Sequence, residues 1–446
     1  MRRGPFGDTQ RDPHGLLNLP RGFRYRVIST AGVRIGRGQR SPAQPDGMAA
    51  FQRRSGETVL MRNHELAPGE GPVVEGRRPY DKHQPGGVTA IVLDPDRRPV
   101  RELVMASGTR NNCSGGATPW GTWLTGEETR IDRHGYVFEV DPRDPEGKLA
   151  RTPIREMGFF SHEAISVDPD TGVVYLTEDD FRGEVDHGDP AGDTRSAFLY
   201  RFLPHDRRRR PGALGRGGRL QALAISEQRS RNADFYRARS RFRVHWRTVD
   251  PTEAHADAQA KGCVRFNRLE GCDFGGGALW FADTAGGEHR LGQVFRYHPG
   301  SHVLELVIEA TSKNRMQNPD GLCLTPWGHL FFCEDGDGHD RLMGLTPHGR
   351  TYEFARNRMS TSELTGAAFA PDGRTLFLNI QYPGMTVAIW GPFPGRDHSG
   401  ARRLAVADAG PLGPALSDDQ IAAAVEAGLA PFEAAALDRL GFPAFD

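Results

Sequence analysis

Surplus charge is what this chain lacks first. Across 446 residues, 57 Lys and Arg offset 57 Asp and Glu, so no global field draws it to nucleic acid or anionic lipid, and any charge effect is local. Cysteine is scarce: five residues, an odd number, are too few and too scattered for a disulfide scaffold and leave the redox compartment open. No run of about 18 apolar residues occurs, which excludes a transmembrane helix. The stretch from Met1 to Arg24 has no apolar core of the kind a signal peptide needs. Two arginines after Met1 are weak evidence for the remnant of a twin-arginine leader. A Walker A loop, a dinucleotide fingerprint, a His-Glu-x-x-His helix and a nucleophile elbow are all missing. The expected partner is a small molecule rather than nucleic acid or a membrane, and the expected state is a monomer.

Turn residues, by contrast, are abundant. Gly (55) and Pro (32) make up about a fifth of the chain, against roughly 12% in average usage, so helices are few and β-structure is favoured. One pattern recurs six times: a short apolar run, a Gly-containing turn, and a second apolar run ending in an acid or amide. The clearest copies are 163–178 and 320–334. The others are 113–127, 270–283, 363–379 and a weaker one ending at Glu65. Further alternating strands follow most copies, at 89–94, 136–141, 198–203, 293–298, 342–346 and 386–390. Four-stranded sheets repeated about an axis leave only short protected edges, so the expected fold is all-β, a six-bladed β-propeller in a single domain spanning 1–446. Residues 205–262, opening on Arg207 to Arg210, read as an exposed insertion. Residues 417–440 read as a short C-terminal helix with Ser417 as its N-cap, and 12–30 is expected to supply a closing strand.

An antiparallel hairpin returns the chain to where it began, so the residue before its first strand and the residue after its second lie at one end. Those positions are Glu65, Cys113, Glu127, Glu163, Glu178, Glu270, Asp283, Asp320, Glu334, Glu363 and Asn379. Carboxylates gathered in one small volume either hold protons or are neutralised by cations. Oxygen ligands suit Ca²⁺, and a thiolate among them points to a softer metal such as iron. Taken singly, each acid is as well explained by accepting turn N–H groups, and Cys113 by burial as a small apolar residue. His64 and His162 each precede a crown acid, as ligands, proton carriers, orienting partners or satisfied structural histidines. Arg268, two residues before Glu270, reads equally as a salt bridge to the acids or as an anion clamp.

The segment Asn112-Cys113-Ser114-Gly115-Gly116-Ala117-Thr118-Pro119-Trp120-Gly121-Thr122-Trp123-Leu124-Thr125-Gly126-Glu127-Glu128 closely resembles the signature of PhoX-type alkaline phosphatases. Phe160-Ser161-His162-Glu163, Tyr175-Leu176-Thr177-Glu178-Asp179, Cys333-Glu334-Asp335-Gly336 and the run from Leu378 to Gly384 resemble further blocks of that family. The resemblance implies a six-bladed propeller phosphatase with an axial Fe³⁺ and Ca²⁺ cluster, acting on phosphate monoesters. It implies twin-arginine export to the periplasm or extracellular space. It further implies Cys113, Glu65, Glu163, Glu270 and Asp283 as metal ligands and Arg268 as the phosphate-contacting catalytic residue. Glu127, Glu178 and Glu334 enter the metal set on hairpin geometry, and His64 and His162 stand beside Arg268 as substrate contacts. The alternatives are a propeller lactonase or phosphodiesterase with a single calcium, and a calcium-stiffened binding platform without catalysis.

Overall fold

A computed structural model describes residues 4–394, apart from 36–37, 132, 180–195 and 226–231. The expected C-terminal helix at 417–440 lies outside the described residues. The chain divides into two compact units, one of Met1–Gly108 with the residues from Cys323 onward, the other of Thr109–Leu322. Both are built from antiparallel meanders.

In the first unit, Pro45–Gln52, Thr58–His64, Gly86–Leu93 and Pro99–Thr109 form one four-stranded sheet. Leu364–Phe369, Thr375–Ile380 and Met385–Trp390 form a second, whose fourth strand is the N-terminal Arg24–Thr30. The early segment therefore supplies a closing strand as expected. Leu330–Glu334, Arg341–Leu345 and Thr351–Asn357 continue outward to Leu17–Pro20 and Thr9–Gln10. Pro319–Leu324, in which the chain passes from one unit to the other, flanks them. Leu364, Leu376, Leu378, Ile389, Phe331 and Phe354 fill the core between these sheets.

In the second unit, Gly115–Ala117, Trp123–Gly126 and Val137–Val140 make a three-stranded sheet. The next sheet has nine strands because Arg241–Thr248 pairs on one side with Gly218–Ile225 and on the other with Val303–Glu309, joining two meanders. Five sheets therefore carry the six expected hairpins. The stretch 205–262 is not the exposed insertion its arginines suggest. Gly218–Ile225 and Arg241–Thr248 are integral strands: Leu220, Ala222 and Ala224 enter one core and Leu223 and Ile225 another, while Phe242 and Val244 point inward between exposed Arg241, Arg243 and His245. The only α-helix among the described residues, Ala254–Ala260, packs Ala254 and Ala258 on that same core.

First strands of successive hairpins lie almost backbone to backbone. A Cβ on Gly116 would sit 1.9 Å from the Ile165 carbonyl oxygen, and one on Gly271 would sit 2.4 Å from the Leu322 nitrogen. Glycine is required at both positions for this approach. It brings the strand entries at Cys113, Glu163, Glu270 and Asp320 side by side within the second unit.

Candidate metal centre

Two backbone devices recur at these strand entries. The first is a β-bulge at the start of the first strand. Pairing slips between Pro45 and Met48, His162 and Ile165, Leu269 and Cys272, and Thr365 and Ala368. The residues set loose by the slip are Asp46, Glu163, Glu270 and Gly366, each followed by glycine or alanine. Bulges re-aim a side chain and end regular pairing, which frees these acids from the sheet's alternation. The second device is a left-handed residue two positions upstream. Gln44 (φ 44°), Asn111 (φ 45°), Arg268 (φ 65°) and Asn318 (φ 44°) precede Asp46, Cys113, Glu270 and Asp320 respectively. A non-glycine residue in that region is strained, and its recurrence at one repeat position marks a site that the surrounding fold enforces.

The side chains converge accordingly. In the second unit, ligand atoms of Cys113, Glu128 and Glu163 lie within 4.8 Å of one another, as do those of Glu163, Glu270 and Asp320. Glu163 belongs to both groups. Beside them the Arg268 guanidinium donates from Nε and Nη2 to Asp179 Oδ2 at 3.1 and 3.0 Å, and from Nη2 to Glu270 Oε1 at 2.6 Å. Its side chain keeps 27% exposure, enough to reach a ligand from solvent. These two carboxylates, with Asp320 nearby, hold its pKa above the ordinary arginine value. Burial, reinforced by the charges of Asp179, Asp320 and Glu163, drives the Glu270 carboxyl well above the usual carboxylate range against the pull of Arg268. One guanidinium against this many acids leaves a strong demand for cations. In the first unit, Gln381 Nε2 donates to both Asp46 Oδ2 and Glu65 Oε2 at 2.8 Å, holding a second carboxylate pair together.

Several residues expected in the crown do other work. Glu127 is completely buried and accepts from the backbone nitrogens of Arg110 (3.0 Å) and Gly135 (2.9 Å), with His134 Nδ1 at 2.7 Å. Glu178 accepts from the Phe198 nitrogen and the Tyr200 hydroxyl, and His255 Nδ1 lies 2.8 Å away. Glu334 is chelated by Arg341. Each ties the end of its hairpin to a neighbouring strand or loop, and in the first two cases the residue after it, Glu128 or Asp179, faces the site. Asp283 lies outside both three-residue groups. His64 is wholly buried, with Nδ1 at 2.7 Å from the Ala43 carbonyl and Nε2 at 2.9 Å from the Thr89 hydroxyl, so neither nitrogen is left for a substrate. Burial, with Arg62 nearby, pushes its pKa well down. His162 is equally buried, its ring tilted against Phe160, and its pKa is depressed by desolvation to about 3. Asp46, Glu128 and Asp179 were not picked out from sequence. For Asp46 the available signal was an acid followed by glycine at a strand entry, shared with Glu270-Gly271 and Asp320-Gly321.

The latch role of Glu127 has a measurable consequence. Glu127→Gln keeps the shape but weakens acceptance from the backbone N–H groups of Arg110, Gly135 and Tyr136, and is expected to cost about 2–3 kcal/mol of stability. A thermal melt should show the loss, while metal bound per folded chain stays unchanged.

A β-propeller whose second unit presents two carboxylate-rich groups sharing one residue, beside a partly exposed arginine, belongs to the class of metal-dependent propeller hydrolases. The chain belongs to the PhoX alkaline phosphatase family: the family model for alkaline phosphatase PhoX matches residues 4–384. It is thus an alkaline-phosphatase-like hydrolase. No curated protein matches it. Among solved structures it is similar to Pseudomonas fluorescens PhoX in complex with vanadate, a transition state analogue. The two share 18% identity over 84% of this chain and 96% of that one, with a TM-score of 0.64. It is also similar, more distantly, to a gluconolactonase of Xanthomonas campestris, at 13% identity over 86% and 100% of the chains, with a TM-score of 0.44.

Proposed function

We propose that the chain hydrolyses phosphate monoesters at a mixed Fe³⁺ and Ca²⁺ centre. The observation that carries the reading is the sharing of Glu163 between a thiol-containing group and an all-carboxylate group. The donor chemistry fits two kinds of cation: Cys113, Glu128 and Glu163 suit iron, and Glu163, Glu270 and Asp320 suit calcium. Bound there, the metals would supply Lewis acidity toward phosphoryl oxygens. The chain's own contribution is positioning. Asp179 and Glu270 fix the Arg268 guanidinium in plane and direction, and a guanidinium so held offsets charge on a phosphoryl oxygen without reorganising. The vanadate bound by the Pseudomonas fluorescens protein supports a phosphoryl-transfer centre on this fold. Small-molecule phosphoesters are the expected substrates, and export to the periplasm or extracellular space belongs to the same proposal.

The test is elemental analysis of protein purified without chelator, paired with hydrolysis of p-nitrophenyl phosphate. Iron together with calcium, and turnover abolished by chelation, is the expected result. A lone calcium and no phosphatase turnover would instead favour a lactonase or a non-catalytic propeller.

A further inference from the structure

Behind Arg268, on the side of its backbone, lies a second set of oxygens that the acidic centre does not use. Asp283 pairs with Gln293 across one ladder and Gln293 with Glu309 across the next, so these three side chains share one face of the sheet. Gln293 Nε2 faces Glu309 Oε2 at 3.5 Å, which turns the amide oxygen toward the Asp283 side. The Asn267 backbone nitrogen donates to Asp283 Oδ1 at 2.7 Å. That leaves Asp283 Oδ2, Asn267 Oδ1 and Gln293 Oε1 buried with no hydrogen-bond donor among the described residues. The residues are 0%, 3% and 0% exposed.

The loop after Asp283 closes over this group. Gly287 donates its N–H to Asp234 Oδ1 at 2.9 Å, and Glu288 donates to Glu309 Oε1 at 3.0 Å. A Cβ on Gly286 would fall 2.4 Å from Asp283 Oδ2, and one on Gly287 would fall 2.9 Å from Glu309 Oε1. The loop therefore packs tightly on both carboxylates, and Gly287, at φ 86°, holds a conformation that favours glycine. Each of these three acceptors is buried without a donor, and a single proton on Asp283 satisfies at most one of the other two. An all-oxygen set of one carboxylate and two amide carbonyls, with the Asp234 carboxylate near enough to act on Asp283 electrostatically, is the donor chemistry of a hard divalent ion.

We infer that a calcium-class cation is seated on Asp283 Oδ2, Asn267 Oδ1 and Gln293 Oε1, separate from the Glu163 centre. Its effect on the main site is mechanical. The same segment clamps the left-handed turn of Arg268, through Thr284 N–H on the Arg268 carbonyl (2.9 Å) and Ala285 N–H on the Asn267 carbonyl (3.0 Å). Filling the site locks the arginine's backbone from behind.

The experiment uses the full chain, stripped of metal and titrated with calcium alone. Asp283→Asn and the near-isosteric Gln293→Met are each expected to bind one calcium fewer per chain than wild type and to lose part of the calcium-induced rise in Tm. Iron content after reconstitution should be unchanged in both. The amide introduced by Asp283→Asn supplies the missing donors, so the metal-free form of that variant should melt no lower than metal-free wild type. Wild-type calcium stoichiometry and an undiminished calcium shift in both variants would overturn the site. So would joint loss of calcium and iron, which would place Asp283 in the main centre.

Discussion

Glu163→Gln is expected to lower turnover of a phosphate monoester by on the order of 10³-fold or more, which is about 4 kcal/mol of transition-state stabilisation. The size follows from its place in both ligand groups. Replacing one carboxylate oxygen with an amide weakens two cation sites at once, whereas Glu128 or Asp320 substitutions touch one each. Elemental analysis of the variant should show both iron and calcium reduced. If metal content is intact and activity falls less than about tenfold, Glu163 is not the shared ligand.

Arg268→Ala is expected to lower kcat/KM by about 10²- to 10³-fold, the range found when one charge-stabilising donor is removed from a preorganised site. Arg268→Lys should recover only part of this, because an ammonium cannot keep both the Asp179 contact and the Glu270 contact that the planar guanidinium makes. Inhibition by inorganic phosphate should weaken in parallel with the loss of kcat/KM. Full activity in Arg268→Ala, with melting temperature alone reduced, would make the residue a structural counter-ion to Asp179 and Glu270.

The repeat was legible because its signals are local. Alternation and turn glycines mark each hairpin, and the paired strands fall where the pattern puts them, as in His162–Val167 with Val174–Glu178. The strand entries at Cys113, Glu163, Glu270 and Asp320 were legible for the same reason. The second-strand ends were misread by one residue. Glu127 and Glu178 sit at the positions that geometry singles out, yet their carboxylates are consumed by backbone N–H groups and by His134, in the turn that follows Glu127, and His255, on the helix Ala254–Ala260. No local pattern announces such a latch, so Glu128 and Asp179 were passed over. Asp46 was missed because its hairpin has the weakest alternation, and because a bulge hides an acid from any rule based on strand period. The stretch 205–262 misled through composition: its arginines dominate the eye while apolar residues spaced between them, such as Leu220, Leu223, Phe242 and Val244, enter the cores.

The bulge in the last hairpin bears on how many acids the first unit can bring together. Where its counterparts carry Asp46, Glu163 and Glu270, this hairpin has Gly366, and a Cβ there would press to 2.4 Å from the Asp46 carbonyl oxygen. Asn379 already occupies the remaining space, donating to that same carbonyl. A donor side chain at this entry is therefore sterically excluded, whereas Asp46 is accommodated at the corresponding entry of the same unit. At this entry it is main-chain crowding, rather than side-chain chemistry, that keeps a further carboxylate from joining Asp46 and Glu65.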